Sequence, residues 1–225
     1  MFAYVGSSTE ELMRLYEALK NSAQRDTRRN NTKHSHGWGY VIYDQDSIYY
    51  YKSKNAIFEE NFSIPKNIEG RNFYAIFHAR QASNIKTVSS RFSHPFIESN
   101  EEEFIYLAHN GYVNEEKLKS RLNYNGLTID SELVTKFLAK YGLNNETIEE
   151  LKELTVTGLN LLILKIDKTS GEAELYYLNY YKRDKEYYEM YYWEGLRGKA
   201  IISSTLLDYG IKGELVEFGK LLKIV

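Results

Sequence analysis

The apolar positions of this chain change period several times, and each change marks an element. "MFAYVG" is a short strand-like run, followed by "TEELMRLYEALKNSA", whose Leu12, Leu15, Tyr16 and Leu19 recur at helical spacing behind Thr9 as an expected cap. Gln24 to Lys33 is polar and basic and reads as an exposed loop. "GWGYVIYD" and "SIYYYKS" are strands joined by a turn at Asp44 to Asp46, and "NFYAIFHAR" and "EEFIYLAHNG" are buried-type strands, the second stopping at a tight Asn-Gly turn. Three helices follow: "NEEKLKSRL", "DSELVTKFLAKYG" with Asp130 or Ser131 as cap and Gly142 as stop, and "ETIEELKEL". The last seventy or so residues read as strands again: "LNLLILKID", "EAELYYLNYY", "EYYEMYYWE", "KAIISST" and "LVEFGKLLKIV". Strands, then helices, then strands predict helices layered against antiparallel sheets, an α+β fold.

Composition narrows the function classes. A length of 225 residues suits one domain spanning 1–225, with no fixed repeat, linker or composition break to divide it. The 29 basic and 31 acidic residues leave a net charge of -2, so no global field favours nucleic acid or anionic lipid. No apolar run approaches the ~20 residues of a membrane span, and Glu10 and Glu11 argue against a signal peptide, so a cytoplasmic location is expected, with no membrane partner. The absence of cysteine excludes disulfides, thiolate metal sites and a thiol nucleophile from the chain as written. Tyrosine, at 21 residues, suits strands with one wet face. The segment Tyr176 to Trp193 interleaves tyrosines with Lys182, Arg183 and Lys185, but Asp184, Glu186 and Glu189 cancel that charge. It therefore reads as a tyrosine-rich hairpin with "KRDKE" at its tip rather than as a nucleic-acid surface. A tyrosine-rich sheet edge is also a candidate for homo-oligomerisation.

Four stretches at expected strand ends or helix starts carry chemistry: "HSHGWGY", "FHARQAS", "HNGYVN" and "DSE". Singly each has a structural explanation, as an ion pair, a turn, a cap or a glycine bend. Together they suit an amino-acid substrate. Arg80 offers a planar fork for an α-carboxylate, with Ser83 as a further donor. Asp130 can accept from an α-ammonium group, and Asn110 with Gly111 can offer a side-chain amide and a backbone N–H to a developing oxyanion. No HExxH or cysteine cluster marks a metal site; His34 and His36 read as a solvated or hydrogen-bonding loop pair. There is no G-x-S-x-G, P-loop or G-x-G-x-x-G, so no cofactor is implied.

The order of these blocks resembles the class II glutamine amidotransferases, which are N-terminal-nucleophile hydrolases, and in particular their small single-domain members. His78, Arg80, Ala82 and Ser83 match a His-x-Arg-x-Ala-Ser/Thr block; His94, Pro95 and Phe96 match His-Pro-Phe. His109, Asn110 and Gly111 match His-Asn-Gly, and Asp130, Ser131 and Glu132 match Asp-Ser-Glu. "GWGYVIY" resembles the small members' glycine-rich strand entry, with His36 where those usually carry Asp; "AIISSTLLD" and "EFGKLLKIV" resemble their closing strands. The resemblance implies a four-layer αββα sandwich and hydrolysis of glutamine, or another γ-glutamyl amide, to glutamate and ammonia or an amine. It gives Arg80 and Asp130 to the substrate's backbone groups, Asn110 and Gly111 to the oxyanion hole, and structural roles to His78 and His109. An ammonia acceptor would be a separate synthase.

The family's nucleophile is an N-terminal cysteine whose own α-amine acts as base. Here Phe2 follows the initiator position and has no nucleophilic atom. In the small members the start resembles Met-Cys-Arg, two aliphatic residues, any residue, Tyr, any residue, Gly. Placing Tyr4 and Gly6 on that pattern sets Met-Cys-Arg immediately before Met1, as a start assigned three residues late would produce. The competing readings are a true loss of the nucleophile, leaving a γ-glutamyl-binding pseudoenzyme or regulatory domain, and replacement by Ser7, Ser8 or Thr9, which lie past the site. Whether the domain is an enzyme with its nucleophile upstream or a non-catalytic binding domain, the chain as written is expected to have negligible glutaminase activity.

Overall fold

Alternation along the strands decides the layering. The computed structural model describes residues 1–224. Chain order begins with β1 (Phe2–Gly6), α1 (Thr9–Gln24), β2 (Trp38–Tyr43), β3 (Ile48–Ser53), β4 (Phe73–Ala79), β5 (Phe96–Ser99) and β6 (Glu103–Val113). Three helices follow, α2 (Glu115–Leu122), α3 (Asp130–Tyr141) and α4 (Asn145–Leu154). The chain continues through β7 (Thr155–Asp167), β8 (Ala173–Leu178), the single-turn α5 (Lys185–Tyr188), β9 (Met190–Glu194), β10 (Gly198–Ser203), β11 (Glu214–Leu215) and β12 (Leu221–Lys223). Every strand pairing is antiparallel, in a seven-stranded sheet ordered β11-β9-β10-β1-β4-β2-β3 and a five-stranded sheet ordered β12-β8-β7-β6-β5.

Three apolar clusters fill the three interfaces of an αββα sandwich. Phe2, Tyr4, Phe73 and Phe77 meet Leu12, Leu15, Tyr16 and Leu19 of α1 on the outer face of the larger sheet. The intervening residues Ala3, Val41, Ile76 and Ile201 point the other way and meet Tyr106, Ala108, Leu162 and Leu164 of the second sheet. On that sheet's outer face Ile105, Leu107, Leu161 and Ile163 meet Leu118, Leu133, Phe137 and Leu151 of α2, α3 and α4. Because both faces of the central strands are covered, "NFYAIFHAR" and "LNLLILKID" read as nearly unbroken apolar runs. The expected α+β sandwich is what the chain forms.

Local expectations differ at four places. Ser8, not Thr9, caps α1, its Oγ accepting the Glu11 N–H at 3.2 Å. Ile129 is the capping position of α3, so Asp130 is its first helical residue. Asn110-Gly111 is not a turn: β6 runs through it to Val113, with a register shift against β7 between Gly111 and Val113. The tyrosine-rich segment is not a hairpin either, since β8 pairs with β7 and β12 in one sheet while β9 pairs with β10 and β11 in the other. The chain crosses between sheets through α5, entered at Asp184 with φ of 54°. Both halves alternate, and alternation carries no information about which sheet a strand joins.

Candidate active site

The register of the larger sheet collects functional groups at one end of the sandwich. Trp38 of β2 lies opposite Ala79 of β4, and Phe2 of β1 lies opposite both Phe77 and Ile202. The start of β1, the start of β2 and the end of β4 therefore converge, and Arg80 follows directly on β4. Its backbone is tied into the loop before β2, donating to Gly37 O at 2.8 Å and accepting from the His36 N–H at 3.0 Å. The His36 Nδ1 accepts the Ala82 N–H at 3.1 Å. That acceptor role is one an aspartate carboxylate would also fill, which accounts for an imidazole at this position.

The Arg80 guanidinium is buried. Nη1 donates to Thr87 O at 3.0 Å and Nη2 to Thr87 Oγ1 at 2.8 Å, leaving the rest of its donors available. Burial lowers its pKa and Asp130 opposes that shift, so the two groups lie within electrostatic reach. Ser83 sits exposed on the loop beyond, and the hydrogen bonds of Arg80 run to Thr87 instead.

Asp130 reaches the site from the second sheet's side. Its Oδ2 accepts the Val113 N–H at 3.0 Å, a donor released from the ladder by the irregularity after Gly111. Burial raises its pKa, opposed by His109 and by the Val113 and Ser131 N–H groups. His109, fully enclosed, has Nδ1 3.0 Å from Ser131 Oγ and 3.7 Å from Asp130, and Nε2 3.3 Å from Gly158 O. It joins β6 to α3 and β7.

Asn110 and Gly111 follow on β6, opposite Asn160 and Leu159 of β7. At Gly111, φ is +147° and an added Cβ would lie 1.8 Å from Gly158 O, so only glycine permits the two backbones to pass. Gly39 works similarly: a Cβ there would meet His94 O at 2.5 Å. The His94-Pro95-Phe96 block thus closes over β2, with the His94 ring packed at a tilt on His78 at 4.1 Å between centroids and edge-on to Phe96 at 4.9 Å. Neither nitrogen of His94 nor Nδ1 of His78 has a hydrogen-bond partner among the described residues. Burial, reinforced by neighbouring cationic groups, pushes both pKa values well below that of ordinary histidine.

Several residues at this end carried no sequence signal. Lys52 of β3 lies 4.3 Å over the Phe96 ring and donates to Arg91 O at 2.7 Å; burial lowers its ammonium pKa to about 8. The basic loop after α1 is not simply solvated. Its Asp26 is fully buried with Oδ2 2.8 Å from His34 Nε2, and Asp26 influences both the Met1 amine and Tyr187. The Met1 amine donates to Ser203 Oγ at 3.0 Å, and burial lowers its pKa to about 5. The one available hint was an acidic residue, Asp26, within an otherwise basic polar run.

The geometry therefore sets a buried guanidinium within electrostatic reach of a half-buried carboxylate, with the irregular Asn-Gly strand segment following on the carboxylate's histidine partner. A cation and an anion so placed match the two backbone charges of a free amino acid. Among the described residues no group of three or more His, Cys, Asp or Glu is arranged to hold a metal ion, and no helix is long and apolar enough to cross a membrane.

Comparison with known proteins gives the family. The model of the class-II glutamine amidotransferases matches residues 13–165. No curated protein sequence matches the chain. Among solved structures, glutamine phosphoribosylpyrophosphate amidotransferase from B. subtilis, complexed with ADP and GMP, is similar at 18% identity and a TM-score of 0.63. A structure described as the allosteric regulatory enzyme of purine biosynthesis is similar at 18% identity and a TM-score of 0.64. Each match covers 99% of this chain and 46% of the other, so the chain spans about half the length of these relatives, and at that identity the likeness is one of fold. With the matched blocks at one end of an αββα sandwich, the chain belongs to the class II glutamine amidotransferases.

Proposed function

We propose that this domain binds glutamine or a related γ-glutamyl amide and hydrolyses it to glutamate and ammonia or an amine, with a cysteine two positions before Met1 as nucleophile. Arg80 takes the α-carboxylate, Asp130 the α-ammonium, and Asn110 with Gly111 the oxyanion of the tetrahedral intermediate. Ser83, on the loop after Arg80, is the further carboxylate donor once that loop closes on substrate. The observation that carries the reading is the register of β1. Phe2 lies opposite Phe77, so the strand extended backwards by two residues past Met1 ends opposite Arg80. A cysteine there would stand beside the group that holds the substrate. Its thiol attacks the γ-carbonyl carbon, the α-amine takes the thiol proton and delivers it to the leaving amine, and water then cleaves the thioester. The domain acts as a single unit over 1–225 in the cytoplasm, and its ammonia passes to a separate synthase or to none.

A second reading rests on the absence of cysteine from all 225 residues: a γ-glutamyl-binding domain of the same fold that performs no chemistry. Ammonia release from glutamine separates the two. The chain preceded by Met-Cys-Arg, with that initiator methionine removed so that the cysteine's α-amine is free, is expected to release ammonia, whereas the chain as written and a Cys→Ala counterpart of the extended form are not. Null rates in all three with glutamine binding intact favour the second reading, and loss of binding as well removes both.

A further inference from the structure

The dipeptide Asn-Gly occurs twice in the chain, at Asn110-Gly111 and at Asn125-Gly126. It carries a chemistry of its own. The backbone nitrogen of the residue after an asparagine can attack the asparagine's side-chain carbonyl carbon, and glycine, with no Cβ, hinders that approach least. Closing the five-membered ring requires the asparagine ψ to turn until that nitrogen eclipses Cβ, which the extended backbone of a strand does not allow. The fold therefore decides which copy can react.

Asn110-Gly111 is held. It lies within β6, with Asn110 paired to Asn160 and Gly111 to Leu159 of β7. Turning ψ at Asn110 would break that rung and move Gly111 against Gly158, whose carbonyl oxygen already lies 1.8 Å from the place of a Gly111 Cβ. Asn125-Gly126 is free to turn. Both residues are exposed, in the connection between α2 and α3 and outside any helix or strand. The chain is anchored just before them, where the Tyr124 N–H donates to Lys119 O at 2.9 Å, and just after, where Leu127 O accepts from Arg91 Nη2 at 2.9 Å. Between these anchors neither Asn125 nor Gly126 makes a hydrogen bond to another of the described residues, through main chain or side chain. The backbone does not call for glycine at 126 either. Its φ is not positive, and the atoms nearest an added Cβ are the hydroxyl end of the Tyr124 ring.

We infer that Asn125 is a self-modification site, at which the folded chain deamidates to aspartate and isoaspartate while β6 and β7 protect Asn110. The Gly126 nitrogen gives its proton to solvent base and bonds to Asn125 Cγ. The Cγ–Nδ2 bond breaks, and the nitrogen leaves as ammonia with a proton taken from water. Water then opens the cyclic imide on one of two sides. Cleavage of the new bond to Cγ leaves an aspartate, and cleavage at the α-carbonyl leaves isoaspartate, with the main chain running through the side chain. One water enters and one ammonia leaves, with nothing oxidised or reduced. Either product adds a negative charge to the concave surface that Asn125 shares with Glu116 and Lys119. Isoaspartate also lengthens the main chain ahead of Asp130. The reaction needs no substrate and is independent of the glutamine-site reading. It releases at most one ammonia per chain from this site, with or without glutamine, and so differs from turnover.

The test incubates the chain as written in mildly alkaline buffer and follows it by tryptic peptide mass mapping. Asn125 falls in the peptide 122–136 and Asn110 in the peptide 92–117. Fragmentation assigns each amide-to-acid exchange to one residue and tells isoaspartate from aspartate. In the folded chain Asn125 is expected to convert at least about tenfold faster than Asn110, a ratio that falls to within about threefold in urea, where β6 and β7 separate. Gly126→Ala should slow conversion at Asn125 at least about tenfold, with a melting temperature within ~2 °C of the original. Equal rates at the two asparagines in the folded chain would overturn the inference. So would an intact Asn125 after a time in which the urea-unfolded chain has reacted, a difference that persists in urea, or undiminished conversion in Gly126→Ala.

Discussion

Protonation of the packed pair His78 and His94 sets an acid limit on this fold. Both imidazoles are enclosed, both titrate well below ordinary histidine, and the groups around them include Arg80, Lys52, His34, His109 and the Met1 amine, which are cationic or become so in acid. In the unfolded chain both recover a pKa near 6.5. Below that value the unfolded state binds protons that the folded state refuses. The stabilisation is therefore complete above pH ~6.5 and is lost as the pH falls beneath it. Between pH 7.5 and 5.5 each histidine costs a little over ~1 kcal/mol, roughly 3 kcal/mol for the two. Against a typical total of about 5–15 kcal/mol this is a large loss. His109 adds to it by less, because Asp130 works against its shift. The assay is urea unfolding of the chain at the two pH values, next to His94→Leu. The variant loses the ring contacts with His78 and Phe96, so its stability at pH 7.5 is expected to fall. Its loss between the two pH values, however, should shrink by a little over ~1 kcal/mol. An unchanged pH dependence in the variant would refute the argument.

Two further predictions concern the site. Gly111→Ala introduces a Cβ 1.8 Å from the Gly158 carbonyl oxygen at a φ of +147°, and the β6–β7 backbone has to move to accept it. A cost of about 3 kcal/mol is expected, read as a melting temperature lower by roughly 6–12 °C; a change under ~2 °C would show that the two strands are free to separate there. Glutamine affinity should weaken in acid as Asp130 protonates, at a higher pH than for an ordinary aspartate because burial raises its pKa. Asp130→Asn should bind at least about tenfold more weakly near neutrality and lose that acid dependence, which titrations of glutamine across the pH range would show.

The sequence determined, by itself, the type and approximate place of most of the main elements, though not the short β5 and α5, the split of the last strand into β11 and β12, or the capping residues of α1 and α3. Helical spacing in α1 and α3, Gly142 as a stop, and the apolar runs of β4 and β7 are local signals, set by which face of an element must leave water. The blocks at Arg80, Asn110-Gly111 and Asp130 were legible because their order and chemistry are written in the chain. Tertiary structure alone decided how they meet. Asn-Gly has a strong local preference for a turn, but β7 pairs along the whole length of β6, and the ladder kept it a strand with an irregularity that releases the Val113 N–H to Asp130. The tyrosine segment alternates equally well in either sheet, and it is divided between the two at α5, held where Asn160 and Asn179 donate to Tyr188 O. Partners at this end of the sandwich, Thr87 on Arg80 and Asp26 on His34, lie in loops without periodicity. A side chain's partner across two sheets is fixed by register, and register is a property of the assembled sandwich, not of any stretch of sequence.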